Sequence, residues 1–204
     1  MPTTFRSPSE LLRYIGRGVT ARLGQLGARL GWQPNAITLL GLLPALVAAL
    51  LAANGHFFAA GVALLIGAPL DALDGAVARA RGCETRFGAL LDSTVDRYAD
   101  ALLFGGIGYA FAQAGDLISL LLAFGALSGA YAVSYVRARA EGLAIGSIKD
   151  GLFDRAARII VLILALLTGA LTLGLLILTL GGHLTALQRL WIAFRATQND
   201  EETA

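Results

Sequence analysis

Apolar residues run along this chain in long blocks, not in the short alternations of a soluble domain. A helix that crosses a bilayer needs about 20 mainly apolar residues. The sequence offers six such blocks, near 36–53, 57–79, 88–111, 117–137, 154–170 and 173–195. Polar or glycine-bearing breaks divide them: Asn54-Gly55-His56, Arg81-Gly82-Cys83-Glu84, Gln113-Ala114-Gly115-Asp116, and the stretch from Glu141 to Asp154. The last turn, near Thr168-Gly169, is barely polar, so five helices with a re-entrant end is the competing count. Ahead of the blocks, Leu11, Leu12, Ile15, Val19, Leu23, Leu26 and Leu30 recur at helical spacing with arginines between them. That is the pattern of an amphipathic helix lying in a membrane interface, and Gly31-Trp32-Gln33-Pro34 ends it. With no apolar core of its own, the segment does not read as a signal peptide. The pattern predicts an all-α polytopic membrane protein. It divides into a juxtamembrane segment (1–33), a six-helix domain (34–197) and a polar C-terminal tail (198–204).

Composition agrees. The 204 residues are 56% hydrophobic and 15% charged, against roughly 25% charged in an average globular protein, and the mean hydropathy is +0.69. One cysteine, Cys83, excludes a disulfide framework, and His56 and His183 stand too far apart in sequence to suggest a histidine metal site. The net charge is +2 with a pI near 9.0, but no nucleic-acid recognition motif or stacking platform accompanies the arginines. Their positions fit membrane topology better. Arg6, Arg13, Arg17, Arg22 and Arg29 precede the first block; Arg79, Arg81 and Arg86 flank the second break. Arg137, Arg139, Lys149, Arg155 and Arg158 flank the fourth, and Arg189 and Arg195 close the chain. The other three turns carry no Lys or Arg. With six crossings, every basic cluster falls on one side, which places both termini in the cytoplasm of a cell (inner) membrane. An odd count would break that agreement.

Ionisable residues inside membrane helices are costly and mark function by default. The second and third blocks carry Asp71, Asp74, Asp92, Asp96 and Asp100. Spacings of three and four put Asp71 with Asp74, and Asp92 with Asp96, on one helical face each. The short connection from Arg79 to Phe87 predicts antiparallel neighbours whose aspartate pairs meet at similar depth. Four carboxylates converging in a semi-apolar setting must take up protons or hold cations. An all-oxygen set suits hard cations such as Mg²⁺ or Mn²⁺, with two ions plausible for four carboxylates. Gly75 and Gly88 leave room for a ligand to approach the backbone. The bland alternative is that the aspartates are salt-bridged to arginines such as Arg79, Arg86 and Arg97.

The residues form one motif. Asp71-Ala-Leu-Asp74-Gly75-Ala-Val-Ala78-Arg79, then eight residues, then Gly88-Ala-Leu-Leu-Asp92-Ser-Thr-Val-Asp96 reads DxxDGxxAR(x8)GxxxDxxxD. This resembles the signature of the CDP-alcohol phosphatidyltransferases at every fixed position, and Pro34-Asn35-Ala-Ile-Thr38 resembles the start of that family's first helix. The resemblance implies six membrane helices, a cytoplasm-facing site and a homodimer. It also implies that Asp71, Asp74, Asp92 and Asp96 ligate metal, with Asp96 the general base. Asn35, Thr38, Asp71, Gly75, Ala78, Arg79 and Thr85 are implied to bind the CDP-lipid.

The acceptor alcohol is harder to read. Ser93 after the third aspartate and Arg97 after the fourth resemble the phosphatidylinositol-phosphate and archaetidylinositol-phosphate synthase branch. So do Ser134-Tyr135-Val-Arg137-Ala-Arg139-Ala-Glu141 and Asp154-Arg155-Ala-Ala-Arg158, where relatives usually carry Glu in place of Asp154. Arg137, Arg139, Lys149 and Arg155 gather on the face of the aspartates and could bind an acceptor phosphate, since arginine matches phosphate bidentately. Inositol 1-phosphate is the expected acceptor. Glycerol 3-phosphate, and hence phosphatidylglycerophosphate synthesis, remains the alternative. A cation carrier with intramembrane carboxylates is the reading from a different class, and an aspartate-rich prenyltransferase has a different aspartate spacing. Gly105, Gly106, Gly108, Gly125 and Gly129 permit close helix approach and suggest a dimer face.

Overall fold

In the computed structural model, residues 8–148, 151 and 153–203 are described, with side chains at 18, 20–70, 72–148, 151 and 153–198. Among these residues every regular element is helical: α1 (Pro8–Arg29), α2 (Pro34–Leu40), α3 (Leu42–Ala53), α4 (Phe57–Asp71), α5 (Leu73–Arg81), α6 (Arg86–Gln113), α7 (Leu117–Gly142), α8 (Arg155–Thr168) and α9 (Leu171–Thr203). Each expected block is present within a few residues of its predicted bounds, and α9 runs on past residue 197. The barely polar turn is real: Gly169, at φ 76°, ends α8 in the left-handed conformation that glycine adopts without strain.

Two breaks were not expected. The first rod divides at Gly41 into α2 and α3, and the second at Ala72 into α4 and α5. Pro69 lies inside α4; it has no N–H to donate to the preceding turn and its ring crowds that turn's carbonyl. α4 nonetheless continues to Asp71 and the helix resumes at Leu73, so Asp74 falls in the first turn of α5. Asp71 and Asp74 therefore stand on either side of Ala72, and the side chain of Asp71 lies outside the described residues. Side-chain caps start the later helices. Thr85 accepts from the Gly88 N–H at 2.9 Å, Asp116 from Ser119 at 3.0 Å and Asp154 from Ala157 at 2.9 Å.

The core joins α3 (Ala45, Ala48, Ala52), α6 (Leu103, Phe104, Ile107), α8 (Leu162, Leu166) and α9 (Leu175, Leu178). Among the described residues α6 packs mainly on the first rod and not on α4–α5, contrary to what the short connection had suggested. The first rod lies between them: α3 packs on both α4 and α6, and α2 on both α5 and α6. α1 packs across α5 through Gly24 and Gly27, which meet Ala76 and Val77. Leu23, Leu26 and Leu30 of the expected apolar stripe stay exposed, while Leu11, Leu12, Ile15 and Val19 lie outside the described side chains.

The glycines also act differently from expectation. A side chain at Gly106 would run into the Ala49 carbonyl, Gly108 abuts Leu120, Gly125 abuts Thr179, and Gly129 faces the Gly182 backbone. These four close the chain's own bundle; only Gly105 of the five faces open space. They do not argue for a dimer.

Outside, Phe58, Ile66, Ile118, Leu121 and Phe124 are each at least 65% exposed. An apolar exterior of this kind belongs in lipid, and this is a membrane protein. Four rods are long and apolar enough to cross by length and composition: Pro34–Ala53, Phe57–Arg81, Leu117–Gly142 and Leu171–Gln198. α6 is long, at 28 residues, but carries charges from Arg86 through Asp100. α8 has only 14 residues, about 21 Å of helix. The packing predicts opposite outcomes at adjacent glycines. Gly106→Ala should lower stability by about 1–3 kcal/mol through overpacking, and Gly105→Ala should be neutral or stabilising by up to about 1 kcal/mol. Melting temperatures in detergent check both.

Candidate active site

The interruption at Ala72 and the cap at Thr85 bring the ends of α5 and α6 against α2. From α2, Thr38 reaches Asp74 of α5 and Asn35 lies by Gly88 at the start of α6. Thr38 is buried; its hydroxyl donates to Asp74 Oδ2 at 2.6 Å and lies 3.1 Å from the Pro34 carbonyl. The Gly75 N–H donates to Asp74 Oδ1 at 2.5 Å. Asp74, itself buried, thus has both oxygens fixed by donors at a helix N-terminus, where the helix dipole also favours a negative charge. Asn35 addresses the other side: a methyl group built on Gly88 would meet Asn35 Oδ1 at 3.4 Å and Thr85 Oγ1 at 3.1 Å. Gly75 faces the Arg79 guanidinium, 3.2 Å from where its own Cβ would stand. Asn35, Thr38, Gly75, Ala78, Arg79 and Thr85 are therefore gathered on the short elements α2 and α5 and the start of α6, with Arg79 and Thr85 exposed and Ala78 half-buried.

Asp92 and Asp96 follow on α6, both half-buried. Asp96 is met by two guanidinium groups, Arg155 of α8 at 2.9 Å and Arg97 at 3.4 Å. One turn on, buried Asp100 lies 3.9 Å from Arg155 and 3.8 Å from Arg97. The salt-bridge alternative thus holds in part, for Arg97 and through a partner from α8 that local sequence could not show. The backbone carbonyl of Arg97 accepts from the Tyr131 hydroxyl at 2.9 Å, tying α6 to α7.

The four cations expected to bind an acceptor phosphate are divided. Arg155 sits on the aspartates. Arg137 is exposed and bonded to Glu141 at 3.1 Å, and Arg139 is exposed. Lys149 lies outside the described residues, as does the side chain of Asp71. The sequence showed Arg158 as one of the basic residues here but not what it bonds to, and it gave no sign of Thr185 on α9. The hydroxyl of Thr185 accepts from the Phe153 N–H at 3.1 Å, and buried Arg158 donates to the Phe153 carbonyl at 3.0 Å. The Thr185 contact joins the start of α8 to α9, 32 residues apart in sequence, and no local pattern marks it. Asp100, Arg155 and Arg158 line one end of a cavity of about 50 Å³ whose other walls are Gly41, Pro44, Gly67 and Phe104.

The donor chemistry fits a hard divalent cation: oxygen ligands alone, with Asp74 held in orientation by neighbouring donors as metal-binding carboxylates usually are. Among the described residues no three such groups close on a single point, and the fourth member of the expected set is Asp71.

Comparison with known proteins agrees with this arrangement. The family model for CDP-alcohol phosphatidyltransferase matches residues 32–187. The archaetidylinositol phosphate synthase of Pyrococcus horikoshii is 39% identical over 172 residues, 84% of this chain and 89% of that protein. The crystal structure of Mycobacterium tuberculosis phosphatidylinositol phosphate synthase with CDP-DAG bound superposes with a TM-score of 0.79 at 30% identity, covering 86% of this chain and 94% of that one. A structure of the same enzyme in complex with manganese and citrate also gives 0.79 at 30% identity, over 86% and 88% of the two chains. Every fixed position of the aspartate motif is present, and the match extends from α2 into α9: the chain belongs to the CDP-alcohol phosphatidyltransferase family and is an enzyme of that kind.

Proposed function

We propose that this enzyme transfers a phosphatidyl-type group from CDP-diacylglycerol to the hydroxyl of a phosphorylated polyol, inositol 1-phosphate first among them, and releases CMP. The observation that carries this reading is Asp74, buried, doubly bonded and set by α2 at the meeting point of α5 and α6. The names of the relatives support the acceptor. Family membership removes the cation-carrier reading.

Asp71, Asp74, Asp92 and Asp96 would hold two Mg²⁺ or Mn²⁺ ions, which when bound neutralise the diphosphate and stabilise departing CMP. The chain's own residues do the rest. Asn35, Gly75, Ala78, Arg79 and Thr85 line the approach for the CDP group. Thr38 serves chiefly by holding Asp74, because its hydroxyl is already committed there. Asp96 accepts the acceptor's hydroxyl proton as that oxygen bonds to the lipid-bearing phosphorus; the phosphorus–oxygen bond to CMP breaks on the opposite side. Arg155, 2.9 Å from Asp96, offers an anionic acceptor a cation beside the base, and Arg137, Arg139 and Lys149 complete the basic rim.

In the membrane, the same reading has six crossings with α1 on the interface, its exposed Leu23, Leu26 and Leu30 turned to lipid. It divides the chain at 1–33, 34–197 and 198–204, with termini and site cytoplasmic. The same reading has the enzyme as a homodimer, and the exposed apolar residues Ile118, Leu121 and Phe124 of α7 are one surface a second copy could cover.

CMP release from CDP-diacylglycerol with Mn²⁺, measured across a panel of acceptors, tests the assignment. Inositol 1-phosphate should support turnover; turnover with glycerol 3-phosphate alone would move the acceptor and leave the reaction class standing. Asp96→Asn should lower kcat by about 10²–10⁴-fold, and undiminished turnover would overturn its role as base. Thr38→Val removes one charge-assisted hydrogen bond worth about 2 kcal/mol and should reduce kcat/KM roughly tenfold or more. Thr38→Ser should stay near the parent enzyme.

A further inference from the structure

Asp100 lies outside the family motif, and the reaction as derived gives it nothing to do. It is nevertheless a buried carboxylate, 7% exposed, one helical turn from the proposed base. Asp96 and Asp100 share a face of α6, and one guanidinium stands between them: Arg155 lies 2.9 Å from Asp96 Oδ1 and 3.9 Å from Asp100 Oδ1.

We propose that Asp100 is a positioning residue that holds Arg155 beside Asp96, not on it, once a divalent cation engages the motif aspartates. The inference rests on the metal reading of the preceding subsection. An arginine bonded to a carboxylate competes with a cation for the same oxygens, and the two positive charges repel across a few ångströms of low-dielectric interior. Arg155 must therefore give way when Asp96 takes up metal, yet an acceptor phosphate needs it to stay close.

The backbone cannot supply that movement, because the start of α8 is clamped. Phe153 is bonded through its N–H to Thr185 and through its carbonyl to Arg158, and Asp154 caps the helix immediately before Arg155. The adjustment falls to the side chain, and Asp100 is the carboxylate already within 4 Å of it. The cavity of about 50 Å³ lined by Asp100, Arg155 and Arg158 gives the guanidinium room to turn. Arg97, 3.8 Å from Asp100, helps hold that carboxylate in place.

The test is a double-mutant cycle on Mn²⁺ affinity of the full-length enzyme in detergent, read from the electron paramagnetic resonance of free Mn²⁺. Asp100→Asn should weaken Mn²⁺ binding by about tenfold, because Arg155 then settles on Asp96. Adding Arg155→Gln should restore it, although Arg155→Gln alone should change affinity by no more than about twofold. Asp100→Glu should bind Mn²⁺ like the parent, with the KM for the acceptor little altered. If Asp100→Asn binds Mn²⁺ normally, or the double variant binds as weakly as the single one, Asp100 is merely structural and the inference fails. Should Asp100→Asn not fold, Arg155→Gln alone decides: a tenfold tightening would show that Arg155 blocks the metal even with Asp100 present, which contradicts the proposal. A parent enzyme that binds no Mn²⁺ at its aspartates would overturn the metal reading itself and this inference with it, a result distinct from all the others.

Discussion

An ionised carboxylate inside an apolar helical bundle must be given partners, and the architecture around the motif follows from that requirement. Stripping a carboxylate of water costs several kcal/mol unless hydrogen bonds and opposite charges replace it. Asp74 receives the Thr38 hydroxyl and the Gly75 N–H; Asp96 and Asp100 receive Arg97 and Arg155. Each solution reaches across elements. The hydroxyl comes from α2 and one guanidinium from α8, so the aspartates knit the membrane rods together at the end proposed for the chemistry.

Helix interruptions make this geometry possible. α4 ends at Asp71 and α5 begins at Leu73, which places Asp74 where backbone N–H groups are unsatisfied by the helix itself. Gly41 separates α2 from α3 and leaves a short helix between α5 and α6, with Asn35 and Thr38 facing the two sides. Below this level the rods close tightly. Gly106 on the Ala49 carbonyl and Gly129 on Gly182 bring backbones into contact, as small residues do in membrane helices. A rigid apolar body thus carries a polar, segmented rim.

Much of this was legible in the sequence because the relevant signals are local. Long apolar blocks and their Asn, Gly and Asp breaks gave the helices, and the fixed aspartate spacing gave the chemistry. What could not be read depended on pairings between distant segments. Nothing near Asp96 announces that Arg155, 59 positions later in the numbering, will sit upon it. Nothing near Gly106 distinguishes a contact within the bundle from a contact with a second copy; its neighbour Gly105 looks identical in sequence and faces the opposite way. The interruption at Ala72 between Asp71 and Asp74 was not read either, because a periodicity argument assumes an unbroken helix.

The central claim is that oxygen ligands on α5 and α6, arranged around α2, gather a divalent cation for phosphoryl chemistry. Anomalous diffraction from crystals of this enzyme grown with Mn²⁺ and CDP-diacylglycerol addresses it most directly. The account predicts manganese peaks bounded by Asp74, Asp92 and Asp96, with the diphosphate among the ligands. Peaks elsewhere, or a bound nucleotide with no metal at these carboxylates, would contradict it.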